Sequence, residues 1–254
     1  MIPLLQPLFT GEWTALGKAL VCADPPPPDA LHVARLLDDA ALLDAVLRRH
    51  ARHLGVDGRD LRAVASNWSL AWLDVLLPPT VAAASVLQHV FPTQADTLWV
   101  RLDEAGRPLS FHIRDEGHPC PGADTAQRYA ALIDAHLAPL FARLARHTRL
   151  APKILWGNLA RRLDGLFDLA LQLTGGAPHV AQDRDRLLHA PEGRDGQPNP
   201  MCQPQRRVVR LHPQPPLTLH RQCCLCYLLP GQDYCGACPL APQFQRLRAP
   251  AASS

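Results

Sequence analysis

The chain has 254 residues, 47% of them hydrophobic, which is enough apolar side chain to bury a core and excludes disorder over most of its length. Its 26 basic and 23 acidic residues leave a net charge of +3, too balanced for the concentrated basic face that bulk nucleic-acid binding needs. The start, Met1-Ile2-Pro3-Leu4, lacks the basic residues of a secretion signal, and the most apolar run, Val75 to Leu87, is shorter than the ~20 residues a bilayer requires. The protein is therefore expected to be soluble and cytoplasmic, where thiols stay reduced.

Taken in order, Trp13, Leu16 and Leu20 fit a short amphipathic helix ahead of Pro25-Pro26-Pro27-Pro28, which cannot be helix interior. Asp29 opens a helical stretch with Leu31, Ala34, Leu37, Leu42 and Ala45 near helical spacing, Gly55 as its stop and Asp38-Asp39 as a dividing point. A second helix is read from about Arg59 to Leu77, ended by Pro78-Pro79, with a third from Thr80 to Val90. The period then changes. Leu98, Val100 and Leu102 alternate with polar or amphipathic neighbours, as do Leu109, Phe111 and Ile113, and the turn residues 103–108 lie between them: a β-hairpin.

Asp124 or Thr125 caps the next helix, which runs to about Arg146, and Pro152 suits the first turn of another that ends at Gly175-Gly176. A short helix is read over Val180 to His189, a Pro- and Gly-rich connection over 190–205, and a strand over Arg206 to Leu211. No internal repeat is visible. The expected fold class is mainly α (α+β): a helical body over 1–205 carrying the hairpin, and a small cysteine-rich C-terminal module over 206–254.

Five of the eight cysteines fall between Cys223 and Cys238. A core does not need that density of thiols, but a soft metal does. Two ligand sets can be drawn from the same stretch. Cys223, Cys226, Cys235 and Cys238 make a pair of C-x2-C knuckles suited to tetrahedral zinc. Cys223, Cys224, Cys235 and Cys238 give C-C-x10-C-x2-C. There the adjacent side chains diverge in an extended segment and suit an object larger than one ion. Cys22, Cys120 and Cys202 are scattered and read as ordinary buried thiols. His50 and His53, three apart among arginines, read as a solvated face rather than a metal site.

The second set also carries a resemblance. Arg221-Gln222-Cys223-Cys224-Leu225-Cys226-Tyr227-Leu228-Leu229-Pro230, followed by Cys235-Gly236-Ala237-Cys238-Pro239-Leu240, resembles the terminal motif of the FhuF-type ferric siderophore reductases. Leu155-Trp156-Gly157-Asn158 is similar to that family's L-W-G-N segment, and Ser66-Asn67-Trp68 through Pro79 is similar more weakly. The match is specific over 155–159 and 219–240 and only pattern-deep before residue 150. It departs from the family at Cys226, where a non-cysteine residue is usual.

The resemblance implies a [2Fe–2S] cluster on Cys223, Cys224, Cys235 and Cys238. It implies one-electron reduction of a ferric siderophore, of hydroxamate type, with iron released as Fe(II). The partners it implies are a ferric siderophore and an unidentified separate electron donor, since the chain has no G-x-G-x-x-G nucleotide fingerprint. Neither nucleic acid nor an integral membrane segment is expected. Peripheral contact with the inner face of the plasma membrane is compatible with that role. Arg206, Arg207, Arg210, Arg221, Arg246 and Arg248 flank the motif and read as a basic surface around it. Gly236 is expected to allow a tight turn that aims amides at sulfur, and Asn158 to bond to or cap the cysteine loop.

Two other readings stay open: a zinc-stabilised interaction module on Cys223, Cys226, Cys235 and Cys238, and a protein related to aerobactin-type siderophore synthetases, for which no Gly-rich phosphate loop is present.

Overall fold

The structure, a computed structural model, describes residues 1–193, 196–209 and 215–245. The chain opens with 3-10 turns at Pro3–Leu5 and Gly11–Trp13, the second leading into α1 (Thr14–Gly17). β1 (Leu20–Cys22), β2 (Leu31–His32), α2 (Val33–Asp38) and α3 (Ala40–His53) follow. The short helix expected through Leu20 thus ends at Gly17, because Leu20 to Cys22 pairs in parallel with a distant strand. The helical stretch expected from Asp29 starts later for the same reason: Leu31-His32 is claimed by a sheet. The expected break at Asp38-Asp39 is a cap. Asp39 is extended, and its Oδ1 accepts from the amides of Ala41 and Leu42.

α4 (Arg62–Val81) is the central helix. It does not stop at Pro78-Pro79 as expected but runs through both prolines and closes in a π turn, Ala82–Val86. Proline's fixed φ is already helical; what it lacks is the N–H. Here both rings are buried in the core, so their packing offsets the lost donors. Instead of the third helix expected to Val90, the chain leaves the π turn at Gln88 and forms β3 (His89–Val90).

The expected hairpin is β4 (Trp99–Leu102) and β5 (Pro108–Ile113). The sheet order is β1-β5-β4-β2, with Leu20 beside Phe111 and Leu31 beside Val100. At the hairpin turn Gly106 has a φ of +73°, and its carbonyl accepts from Trp68 Nε1 of α4 at 2.8 Å. β6 (His118–Pro119) pairs with β3.

α5 (Thr125–Leu132) begins on a reciprocal capping box between Asp124 and Gln127, passes through a π turn at Ile133–Leu137 and continues as α6 (Ala138–Thr148). α7 (Pro152–Leu173) starts on Pro152 and is followed by Gly175 and Gly176, both left-handed. α8 (Pro178–Arg184) closes in a third π turn, Asp185–His189. β7 (Arg207–Val208) pairs with β8 (Leu217–Thr218); of the strand expected over Arg206 to Leu211 only these two residues form it, Arg206 and Val209 lying outside the pairing and Arg210 and Leu211 outside the described residues. The fold is mainly α with small sheets, as expected.

α4 packs along α7 and against β5, and the core centres on Trp68, Trp72 and Phe111, with Trp72 edge-on to Phe111 at 4.9 Å. Arg62–Val86 is long and apolar enough to cross a membrane by length and composition, although Val75 to Leu87 alone is not; 72% of its apolar window is buried within the fold, as suits a core helix. Beside it, His136 is fully buried. Trp72 Nε1 donates to its Nε2 at 3.2 Å, and its Nδ1 lies 3.0 Å from the Thr93 carbonyl. The ring is therefore neutral and donates through Nδ1; a proton on Nε2 would face a donor.

Burial holds the His136 pKa down to about 4, from an ordinary 6.5. In that interval the unfolded chain binds a proton that the folded one does not, so stability rises with pH. Unfolding titrations should show stability falling as pH drops from about 6.5 to about 4, with a contribution from this group of about 1.4 kcal/mol per pH unit. His136→Gln should remove that part of the slope; an unchanged slope would refute the assignment.

Candidate metal centre

The cysteine stretch folds as two arms. The first carries Cys223, Cys224 and a 3-10 turn at Cys226–Leu228; the second carries Cys235 to Cys238. The His220 amide donates to the Ala237 carbonyl at 2.9 Å, and Tyr227 stacks on Tyr234 with ring centroids 4.5 Å apart, so the arms are joined at both ends. Cys223 Sγ and Cys238 Sγ lie 3.6 Å apart, both buried, and none of the eight cysteines is in a disulfide.

Three of the sulfurs share one local device. The Leu225 amide donates to Cys223 Sγ at 3.3 Å, the Cys226 amide donates to the Cys224 sulfur, and the Ala237 amide donates to the Cys235 sulfur. Each donor sits two residues beyond its cysteine. Amides so placed stabilise negative charge on sulfur, the form in which thiols bind metal. The expected amide at Cys235 is present, but Gly236 is not required for steric reasons. Its φ is not positive, and an added β-carbon would meet nothing within 4 Å. The non-glycine residue of the stretch in the left-handed region is Leu225, with φ +61°. That twist parts Cys224 from Cys226.

Cys226 turns toward the body. Asn67 Nδ2 of α4 lies 3.8 Å from its sulfur, and Asn67 Oδ1 is in turn 2.8 Å from His50 Nε2. His50 is buried, contrary to the solvated face expected for it, because it belongs to this chain from α3 to the cysteine arm. The Cys226 thiol donates to the Cys224 carbonyl at 3.8 Å, and its side chain, ahead of the Cys226 amide and Arg161, holds the Cys224 pKa well below the usual thiol range while that of Cys226 is pushed up. Burial pushes the Cys223 and Cys235 thiols up as well.

Two residues of α7 seat the arms. A β-carbon on Gly157 would lie 2.7 Å from Gln222 Cβ, so this helix position must be glycine for the segment before Cys223 to approach. One turn on, Arg161 Nη2 donates to the Gln222 carbonyl at 3.0 Å, and the guanidinium also donates to the Cys224 sulfur. Its Nε is buried without a partner, and among the described residues Arg161 pairs with no carboxylate. An uncompensated, partly buried cation facing a cysteine quartet fits an anionic thiolate–metal group. The same cation contributes, after burial, to holding His220 down to about 4.

The other anticipated residues are distributed differently. Asn158 is fully buried and does not reach the cysteines; its Nδ2 lies 3.0 Å from both Ser66 Oγ and Ser69 Oγ, tying α7 to α4. Trp156 packs edge-on to Phe141 at 5.2 Å. Arg221 reaches the Leu188 carbonyl at 3.4 Å and Arg206 the Phe244 carbonyl, so both are structural ties; Arg210, Arg246 and Arg248 lie outside the described residues. Among the described residues no three His, Cys, Asp or Glu side chains close on one point in the manner of a single-ion site. Arg161 was not anticipated. The available signal was its spacing of four from Gly157, which puts both on one helix face.

The fold, with four thiols docked on one helix, defines a class by its architecture, and comparisons with known proteins narrow it. A family model described as "Ferric iron reductase FhuF-like transporter" matches residues 66–219, and the chain belongs to that family. The matched span covers most of α4 and all of α7 but stops before Cys223. The ferric siderophore reductase of Escherichia coli K12 is 24% identical over 184 residues, covering 72% of this chain and 67% of that protein. Among solved structures, the ATP-bound aerobactin synthetase IucA from a hypervirulent pathotype of Klebsiella pneumoniae superposes with a TM-score of 0.55 at 16% identity. That alignment covers 70% of this chain but only 38% of the synthetase. A second structure of IucA gives 0.54 at 17% identity. This likeness is one of fold.

Gly157→Ala should force the arms off α7 at a cost of about 1–3 kcal/mol of local stability. Hydrogen exchange should then rise over 219–240 while α4 stays protected; unchanged exchange would count against the docking role. Arg161→Gln should lower any metal retained per chain and shift any reduction potential downward, because a positive charge beside sulfur favours the more negative state. A potential equal to wild type would refute the electrostatic part.

Proposed function

We propose that this chain is a ferric siderophore reductase that takes a ferric siderophore of hydroxamate type and frees its iron as Fe(II). The observation that carries the proposal is the quartet Cys223, Cys224, Cys235 and Cys238, with amides two residues beyond three of them and the unpaired Arg161 alongside, on the body of a ferric iron reductase family. The name of the Escherichia coli relative supports the same substrate.

Those four cysteines would hold a [2Fe–2S] cluster, and Cys226, turned toward Asn67, would stay outside it. When bound, such a cluster supplies one electron at a time. Hard oxygen donors hold Fe(III) far more tightly than Fe(II), so one added electron loosens the substrate's iron. The balance is one electron in and one Fe(II) plus the free chelator out, with a separate one-electron donor restoring the protein. No proton transfer or covalent intermediate is needed. The chain's own contribution is positional. Gly157 and Gln222 fix where the thiols sit, Arg161 offsets their charge, and the tyrosine stack of Tyr227 and Tyr234 joins the arms beside them.

We place the protein in the cytoplasm, at times against the inner face of the plasma membrane. Eight free cysteines suit a reducing compartment. The zinc reading, on Cys223, Cys226, Cys235 and Cys238, is disfavoured by the engagement of Cys226 with Asn67 of the body.

Anaerobically purified protein should be red-brown, contain two iron and two sulfide per chain, and give a paramagnetic signal after one-electron reduction. Cys224→Ser should abolish the colour, whereas Cys226→Ser should largely keep it. A colourless protein with one zinc, lost on Cys226→Ser but not on Cys224→Ser, would sink the proposal.

A further inference from the structure

We propose that Asn67 is a positioning residue that selects the metal: it holds the Cys226 sulfur against the body, keeps that thiol out of the C-x2-C set that would take a single zinc ion, and so leaves the quartet to the cluster. The inference rests on the reductase reading and adds to it a residue that decides which metal group the arms accept.

Cys223, Cys235 and Cys238 belong to both ligand sets in this stretch, and the sets differ only in whether the fourth member is Cys224 or Cys226. With Cys226 the set is two C-x2-C pairs, the ordinary framework of a tetrahedral zinc site. Thiolates draw zinc as well as iron–sulfur groups. A chain that carries both sets therefore takes up the wrong metal unless one of them is silenced.

The path of the backbone does not silence it. Cys226 is two residues from Cys224, and its sulfur lies 3.8 Å from the Cys224 carbonyl. Rotation about one side-chain bond carries a cysteine sulfur about 3 Å from one staggered well to the next. Whether the thiol joins the quartet is thus a choice of rotamer, decided by the partner that waits in each well. In the well occupied here that partner is Asn67, whose Nδ2 lies 3.8 Å from the sulfur. One hydrogen bond biases such a two-way choice by about twofold to tenfold.

Asn67 is fixed well enough to impose that bias. Its Oδ1 lies 2.8 Å from Nε2 of the buried His50, so the amide is held at its other end. Its neighbours on α4 are tied as well. Trp68 donates to the Gly106 carbonyl at 2.8 Å, and Ser66 Oγ accepts from Asn158 at 3.0 Å. Contacts to α3, the β4–β5 hairpin and α7 therefore anchor the segment from which the amide reaches.

The arm meets it from the other side. The left-handed turn at Leu225 separates Cys224 from the 3-10 turn that Cys226 opens, and Leu229, just past that turn, is buried in the large core of the body. Cys226 packs against the same core, whereas Cys223 and Cys238 belong to the small cluster of the arms. Each of the two competing thiols thus has its own partner. Arg161 donates to the Cys224 sulfur, Asn67 to that of Cys226. The charged donor favours a thiolate more than the neutral amide does, so the two partners push the choice in the same direction.

The test uses the full chain, purified anaerobically from cells supplied with both iron and zinc. Iron, zinc and sulfide are counted per chain, and the loaded protein is then challenged with zinc while its colour is followed. Asn67→Leu, close in size and without the amide, should raise the zinc-to-iron ratio by about twofold to tenfold and speed the loss of colour under zinc several-fold. Adding Cys226→Ser to it should return both to wild-type values. A merely structural role for Asn67 predicts another pattern, in which iron and zinc fall together and Cys226→Ser restores nothing; that result overturns the inference. Should Asn67→Leu yield no folded chain, Asn67→Asp takes its place with the same expected outcomes, since it keeps the acceptor for His50 and lacks only the donor to sulfur. If wild type carries iron and sulfide but the Asn67 variants match it in metal content and zinc resistance, this inference fails and the reductase reading stands. If wild type incorporates neither iron nor sulfide, the reductase reading fails and this inference with it.

Discussion

The contact between Gly157 and Gln222 is the constraint on which the site depends. A helix interior is an unfavourable place for glycine, by roughly 0.5–1 kcal/mol relative to alanine, and α7 carries one where the cysteine segment arrives. The missing side chain lets a backbone lie against the helix, and Arg161, one turn further along, secures it through the Gln222 carbonyl. The position of α7 is set in turn by Asn158, whose amide is bound to Ser66 and Ser69 of α4. Leu155, Trp156, Gly157 and Asn158 thus point to four separate tasks: core, aromatic packing, docking and helix registration.

From α4 the line of support runs on to the other arm. Asn67 meets Cys226 on one side and His50 on the other, so α3, α4 and the first cysteine arm share one polar chain. The effect on the thiols is asymmetric. Cys224 collects donors from Cys226 and Arg161, whereas Cys226 is a donor and packs toward the body. Two neighbours that look equivalent in sequence are made chemically different by the left-handed turn at Leu225.

Much of this was legible from residue order. The hairpin, the cap at Asp124, the helix from Pro152 to the paired glycines and the two cysteine arms all follow from local signals. What local signals could not supply were partners far away in the chain. Leu20 to Cys22 carries no strand pattern long enough to declare itself, and its parallel pairing with Phe111 comes from tertiary context. Pro78-Pro79 normally ends a helix; burial of both rings overrides that rule. His50 among arginines looks solvated until Asn67 is placed beside it. Asn158 looks like a loop cap until two serines of α4 are seen to surround it. Arg161 was hidden because nothing marks one arginine on a helix until the opposing surface is known.

The body's hydrophobic core closes without the thiol quartet. Cys223, Cys238 and Ala241 form a small apolar cluster of their own, apart from the large one that joins the helices and the main sheet. The state of the thiols and the foldedness of the body are therefore separable properties of this molecule. A change at the cysteine arms can leave the helical signature and the hydrodynamic size as they were, so neither circular dichroism nor gel filtration reports on the arms.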